Sequence, residues 1–148
     1  MDNNSVTAPR GFLAAGVAAG IKRSGKLDVG LIVCPTGAKA AALFTTNKVV
    51  SSAVTVCKEH MKTASVYGVV VNSGNANTCT GKKGLANAGK MCKKAADEIE
   101  AEAKSMLVAS TGIIGEQLPI EKVLGGIEAA AEKLSASSES GYPPLSER

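Results

Sequence analysis

Runs of valine, isoleucine and leucine along the chain predict the strands of the fold. The most strand-like run is residues 65–72 (SVYGVVVN), whose apolar end lacks polar alternation, as expected for a central strand buried on both faces. Three further runs predict strands at residues 28–34, 49–57 and 106–110. Pro35, Thr36 and Gly37 predict a turn, so residues 39–45 would return as the second strand of a hairpin.

Apolar residues at a spacing of three or four predict two helices. The first spans residues 84–103, and its apolar stripe consists of Leu85, Ala88, Cys92, Ala95 and Ile99. The second spans residues 119–134, with Pro119 in its first turn and one side formed by Ile120, Val123, Leu124, Ile127 and Leu134. A short helical turn is predicted at 58–62, and residues 1–27 look irregular and rich in glycine. Residues 135–148 form a polar tail without periodicity, so the domain is assigned to residues 1–134.

The order of elements in the second half is β-α-β-α, which predicts a mixed α/β fold. Such a crossover favours neighbouring parallel strands. The loops that follow Val71 and Ala109 would then meet at the carboxyl edge of one sheet, where open α/β sheets bind ligands. Topology therefore places the segments NSGNANTCTG (residues 72–81) and STG (residues 110–112) in one candidate site.

The STG segment has the chemistry of an oxyanion hole. It is expected to end the strand that starts at Met106, and its glycine allows a sharp turn and a close approach to a ligand. The Thr111 hydroxyl and the Gly112 N–H could both point at one oxygen, which is what acyl transfer requires of fixed donors. The alternative is an ordinary strand end and turn, because Thr-Gly is common in turns.

The NSGNANTCTG segment is open to three interpretations. It could be a tight loop capped by its own side chains, a polar cradle beside a catalytic site, or an anion-binding loop before a helix. The P-loop and dinucleotide-binding glycine patterns are both absent, which argues against a nucleotide site. Lys82 and Lys83 at the helix start could attract a carboxylate, but a solvent-facing role is favoured.

Composition excludes several other functions. The 148 residues fit one domain, and the net charge of +4 with no Trp, two Tyr and two Phe offers no platform for nucleic-acid bases. The four cysteines lack metal-site spacing and fit buried reduced thiols of a cytosolic protein. His60 is the only histidine, so a histidine-based triad is not expected and any nucleophile must lie elsewhere. The apolar run at residues 11–21 is too short to span a membrane.

Three segments together resemble one known family. VTAPRGFLAAGVAAGIK (residues 6–22), VVNSGNANTCTG (70–81) and VASTGIIGEQLP (108–119) are similar, in order and spacing, to the N-terminal part of the ornithine acetyltransferases. These are the bifunctional glutamate N-acetyltransferases of arginine biosynthesis. The resemblance implies a layered α/β sandwich and a cytoplasmic enzyme without a cofactor. It also implies an oxyanion hole at Thr111 (hydroxyl) and Gly112 (N–H).

In that family a precursor cleaves itself before a threonine, which becomes the nucleophile of the β chain. It takes acetyl from N-acetylornithine and passes it to glutamate, and some members also use acetyl-CoA. The α and β chains pair and the pairs dimerise, giving a heterotetramer.

The family's Ala-Thr-Met-Leu cleavage motif is absent from this sequence, as is the β-chain region. The chain is therefore expected to be inactive alone and to expose an apolar face. Two alternatives are a noncatalytic structural or interaction module and a relative with aminopeptidase chemistry, against which the VTAPRGF and NSGNAN motifs argue.

Overall fold

A mixed four-stranded sheet forms one layer of the molecule. The computed structural model describes residues 6–63 and 65–134. The strands are β1 (Leu13–Val17), β2 (Val29–Ala38), β3 (Val66–Asn75) and β4 (Met106–Ile113), in the spatial order β1-β2-β3-β4. The first two pairings are antiparallel, and β3 and β4 are parallel. This arrangement confirms the predicted α/β class and the predicted parallel pair. The polar tail lies outside the described residues.

Helices cover one face of this sheet. They are α1 (Ser52–His60), α2 (Gly81–Asp97) and α3 (Ile120–Glu132), and a short 3₁₀ turn at Ala103–Ser105 leads into β4. The core between the layers is built from small and medium apolar side chains. Its most enclosed members include Leu13, Leu31, Val33, Val70, Met91, Met106, Val123 and Ile127. In the part of the chain that the structure describes, no helix is long and apolar enough to cross a membrane.

The central strand β3 is fully covered on one face only. Val66, Val70 and Asn72 are buried, whereas Tyr67 and Val69, which point to the other face, are partly exposed. Ile32 of β2 and Leu107 of β4 line a cavity with these two on that face. The expectation that β3 is buried on both faces is therefore not met within the described residues, and the sheet presents a half-covered apolar surface.

Three predictions in the first 45 residues are wrong. The segment taken as irregular contains β1, whose alanines and glycine pair with β2 through backbone groups that need no large side chain. Pro35, Thr36 and Gly37 do not turn the chain into a hairpin, because β2 continues through them to Ala38. The register with β3 instead shifts between Val33 and Ala38, and Gly37 has a φ of 74° at this irregularity. Residues 39–45, predicted as a strand, belong to no helix or strand and lie outside the sheet.

The strand predicted at residues 49–57 is a helix. Ser51 caps α1, since its hydroxyl accepts the N–H of Val54 at 3.3 Å. Ala53, Val56 and Cys57 are the buried positions, which is helical spacing. The β-branched residues of this segment favour strands locally, but packing of this apolar stripe decides the outcome. Of the helical turn predicted at 58–62, residues 58–60 are the end of α1 and residues 61–62 form the turn that follows it.

The two predicted helices exist with different ends. α2 starts at Gly81 rather than at 84 and ends at Asp97 rather than at 103. It stops early because Glu100 adopts a φ of 56° and the Ala101 N–H returns to the Ala96 carbonyl at 2.9 Å. α3 runs from Ile120 to Glu132, and Pro119 precedes its first turn.

A buried carboxylate fixes the connection between β1 and β2. Asp28 is 3% exposed, and its side chain accepts the N–H groups of Ala19 (2.6 Å), Ile21 (2.7 Å) and Lys22 (2.9 Å). Burial alone would raise the pKa of Asp28, but these hydrogen bonds and the Lys22 charge outweigh it and hold the pKa below 3.8. This connection packs against Gly74 at the end of β3.

We expect Asp28→Asn to lower the free energy of unfolding at pH 7 by about 2–4 kcal/mol, because an amide cannot accept all three N–H groups. The depressed pKa means that this stabilisation is present above about pH 4 and is lost as the pH falls through the folded-state pKa. Urea unfolding of the wild-type chain and the variant, at pH 7 and at lower pH, measures this contribution to the free energy of unfolding. Asp97→Asn is the matched control, since Asp97 makes only an exposed pair with Lys93. Equal losses in both variants would contradict the prediction.

Candidate functional site

The carboxyl ends of β3 and β4 form the candidate site. The parallel register pairs Asn72 with Ser110, Ser73 with Thr111 and Gly74 with Gly112. This confirms that the two polar segments meet at one edge of the sheet. The prediction that STG ends the strand is wrong, because β4 continues to Ile113 and the Ile113 carbonyl accepts the Ala76 N–H at 2.9 Å. Thr111 and Gly112 therefore lie within a paired strand.

Gly112 occupies a position that no other residue fits. Its φ is 134°, which L side chains rarely adopt. A Cβ there would collide with the carbonyl carbon of Gly74 and lie 2.6 Å from the Asn75 nitrogen. Two glycine backbones are thus brought together where both strands end. The sequence indicated that a close approach occurs here, but it did not indicate that the neighbour is the other glycine of the site.

Hydrogen bonds along β4 show which backbone groups face its outer edge. The Met106 carbonyl lies 2.6 Å from His60 Nδ1 of α1, and both the N–H and the carbonyl of Val108 contact the Cys57 thiol. Alternate residues of a paired strand direct their backbone groups to opposite sides. Since both groups of Val108 face the outer edge, the alternation directs the N–H groups of Ser110 and Gly112 to that edge as well.

The Thr111 side chain lies on the face of the sheet away from the helices. Thr111 is exposed, and Val108, three residues earlier, is buried beneath the helices, so alternation directs the two side chains to opposite faces. Within residues 6–63 and 65–134 its hydroxyl has no hydrogen-bond partner. An open hydroxyl and an open N–H on adjacent residues are a suitable pair of donors for an oxygen that gains negative charge.

Asparagine side chains hold the two segments together. Asn75 accepts the N–H of Asn77 at 2.8 Å and donates to the carbonyls of Glu116 (3.1 Å) and Gln117 (3.4 Å). It therefore ties the chain that follows β4 to the chain that follows β3. Asn72 donates to the Asn75 carbonyl at 2.9 Å. Sequence analysis noted the asparagines, but not that Asn75 reaches 41 residues along the chain.

Most polar groups of the loop before α2 are used internally. Asn77 donates to the Gly84 carbonyl at 2.9 Å and accepts the Thr80 hydroxyl at 2.9 Å. The left-handed φ values of Asn77 (47°) and Cys79 (60°) make the loop tight. This favours the self-capped interpretation over an anion cradle. Lys82 and Lys83 are exposed.

Two buried polar atoms lie beneath the edge without a partner. Asn72 Oδ1 and Ser110 Oγ have no hydrogen bond within the described ranges, and the two residues face each other across the β3–β4 pair. Asn87 Nδ2 on α2 shares this property. Buried groups of this kind are usually satisfied by water. The inner side of the edge is therefore polar, although the helices cover it.

The Cys57 and Cys92 thiols are not activated as nucleophiles. Burial raises the pKa of the Cys57 thiol and raises that of Cys92 to about 12, so both keep their protons. Cys34 is also buried, whereas Cys79 is exposed. Residues 6–63 and 65–134 contain no cluster of three or more side chains that could hold a metal ion.

Comparison with known proteins identifies the family. The ArgJ family model matches residues 13–142. The arginine biosynthesis bifunctional protein ArgJ of Caldanaerobacter subterraneus is 49% identical over 140 residues, which is 95% of this chain and 34% of that protein. The ArgJ protein of Rhodopirellula baltica is 48% identical over 85% of this chain and 31% of its own length. This chain belongs to the ArgJ family.

Solved structures agree with this assignment. The ornithine acetyltransferase of Mycobacterium tuberculosis, crystallised with ornithine, matches with a TM-score of 0.88 and 38% identity over 95% of this chain and 76% of that one. The ArgJ protein of Bacillus halodurans matches with a TM-score of 0.83 and 38% identity over 88% and 70%. The resemblance recognised from three segments is thus confirmed. The chain spans about a third of the length of the curated relatives it matches.

Gly112→Ala should lower the free energy of unfolding by roughly 3–5 kcal/mol, because the methyl group meets the Gly74 backbone and the φ is strained. Gly115→Ala is the matched control. It also has a positive φ, of 86°, but nothing lies within 4 Å of a Cβ there, so only about 1–2 kcal/mol is expected. Chemical denaturation of both variants measures the difference, and equal losses would show that close strand contact is not the constraint.

Proposed function

We propose that this chain is the oxyanion-hole part of a glutamate N-acetyltransferase, that is, an ornithine acetyltransferase of arginine biosynthesis. The observation that carries the proposal is the pair of open donors at Thr111 and Gly112, on an edge fixed by backbone packing against Gly74. Family membership supplies the reaction class.

The reaction proposed is transfer of acetyl from N-acetylornithine to glutamate through an acetyl-threonine intermediate. The threonine hydroxyl attacks the acetyl carbonyl, and the carbonyl oxygen gains negative charge in the tetrahedral intermediate. The Thr111 hydroxyl and the Gly112 N–H donate hydrogen bonds to that oxygen. The C–N bond then breaks and ornithine leaves with a proton. The amino group of glutamate attacks the threonine ester in turn, which releases N-acetylglutamate and regenerates the hydroxyl.

The nucleophile is assigned to a second chain. The Cys57 and Cys92 thiols keep their protons and are unsuited to this role, whereas an N-terminal threonine can use its own amine as the base. A comparison of lengths supports division into two chains. A match to 95% of this chain corresponds to 34% of the Caldanaerobacter protein but to 76% of the crystallised Mycobacterium chain, so the crystallised chain is the shorter. Self-cleavage and an αβ pair that dimerises would account for this.

Substrates and location follow from the same assignment. The Mycobacterium relative was crystallised with ornithine, which supports ornithine derivatives as one substrate class. Glutamate is the proposed acceptor, and acetyl-CoA is a further donor in some members of the family. The proposed enzyme needs no cofactor and works in the cytoplasm, where arginine precursors are made.

A noncatalytic structural or interaction module is the alternative. The observation that favours it is the apolar surface on the half-covered face of the sheet, lined by Ile32, Tyr67, Val69 and Leu107. In that case the half-covered sheet face would bind a partner chain, and the Thr111 and Gly112 donors would have no substrate. The two functions differ in whether complementation restores acetyl transfer.

The purified chain alone is expected to show no acetyl transfer, whereas the chain mixed with the remaining length of the Caldanaerobacter relative should transfer acetyl to glutamate. In that mixture Thr111→Ala should lower kcat by about 10²–10³-fold, because one oxyanion donor is lost. Thr111→Ser keeps the hydroxyl and is the matched control. Transfer is followed by mass spectrometry of N-acetylglutamate.

Substantial turnover by the chain alone would overturn the assignment of the nucleophile to a second chain. Full activity of Thr111→Ala in the mixture would overturn the oxyanion role. An inactive mixture whose components form a stable complex would favour the noncatalytic module.

A further inference from the structure

The outer edge of β4 is bonded along its first half and open along its second. The first-half contacts come from α1, which runs antiparallel to β4: His60 lies at Met106, and Cys57, one turn earlier in the helix, lies at Val108. Ala53 and Val54 lie one turn closer to the start of α1, and their side chains carry no hydrogen-bond donor or acceptor. Hydrogen bonding from α1 side chains to this edge therefore stops before Ser110.

The Cys57 thiol bonds the Val108 peptide groups as a neighbouring strand would. Sγ donates to the Val108 carbonyl at 3.1 Å and accepts the Val108 N–H at 3.3 Å. The raised pKa of this thiol keeps the proton that the first of these bonds requires. His60 Nδ1 must carry hydrogen towards Met106, because a carbonyl only accepts. Two side chains thus satisfy three backbone groups that a fifth strand would otherwise bond.

We propose that α1 substitutes for a strand along the first half of the β4 edge, and that Cys57 and His60 are positioning residues for the Thr111 and Gly112 donors. The helix holds β4 from outside while β3 holds it from inside, so residues 106–108 cannot shift. Hydrogen bonding from α1 ends before Ser110. The Gly112 N–H is therefore held in place by the strand but remains available to bind a ligand. This role rests on the proposed acetyltransferase function, whereas the edge pairing itself does not.

Amide hydrogen exchange of this chain tests the pairing without any assay of activity. We expect the Val108 amide to exchange about 10²-fold more slowly than those of Ser110 and Gly112, for which residues 6–63 and 65–134 provide no partner on the outer edge. Cys57→Ala should speed Val108 exchange by about tenfold, as the loss of one hydrogen bond predicts. Cys57→Ser can donate and accept in the same place and should restore protection. Cys92→Ala is the control for loss of a buried thiol, because Cys92 is more deeply buried than Cys57 (0% against 8% exposed) and its thiol bonds no group of β4 within the described residues.

The complemented enzyme then tests the positioning role. Cys57→Ala should lower kcat about tenfold, less than the 10²–10³-fold loss on removing a donor, with the KM for N-acetylornithine nearly unchanged. Cys57→Ser should recover kcat, and Cys92→Ala should leave it unaltered. A merely structural role would not give recovery by serine together with an unchanged KM.

Each outcome decides a different part of the proposal. If Val108 exchange is unaffected by Cys57→Ala, or Gly112 is as protected as Val108, the substitute-strand pairing is overturned. If exchange responds but kcat does not, while Thr111→Ala shows its expected loss of about 10²–10³-fold in kcat, the positioning role is overturned and the proposed function stands. If Thr111→Ala is fully active, the proposed function and the positioning role both fall, and the exchange data still decide the pairing.

Discussion

Close backbone contact between Gly74 and Gly112 is the constraint on which the rest of the site depends. A β carbon at Gly112 has no space, so the two parallel strands can remain paired to their last residues only with glycine there. The pairing in turn places Thr111 beside Ser73 and leaves the outer edge to α1. Asn75 then fixes the chain that leaves β4, and Asp28 fixes the connection that packs on Gly74. These contacts are local, but together they make the edge rigid.

The molecule contains few large side chains. Its core consists mainly of valine, leucine, alanine and methionine, and it has no tryptophan. Small residues let helices and strands approach closely, but each contributes little buried area. Buried polar groups supply the remaining specificity, as the asparagines after β3 and the carboxylate of Asp28 illustrate. Sulfur also takes part, since the Cys57 thiol occupies a place that a backbone group would fill in a wider sheet.

The sequence predicted those features that depend on periodicity or topology. The parallel pair β3–β4 follows from the β-α-β order, and the meeting of the two loops follows from it without reference to either motif. The sequence did not predict β1, because its alanines and glycine pair through the backbone and have no apolar alternation. The pattern of residues 49–57 predicted a strand in place of α1, because the valines of this segment prefer strands. Packing against β4 selects the helix, and the local pattern does not reveal that packing. The contacts of Cys57, His60 and Asn75 span 41 to 51 residues, and single residues carry no signal of such distant partners.

The half-covered sheet face has a consequence for the order of events in assembly. Helices fill one face of the sheet and β3 fills one side of β4, so a reacting group can reach Thr111 only across the open face or the outer edge. Under the proposed function, the surface that an incoming chain must cover is also the route by which its nucleophile arrives. Docking and completion of the catalytic centre would then be a single event. A chain that had not docked would lack a complete site and could not hydrolyse the acetyl donor.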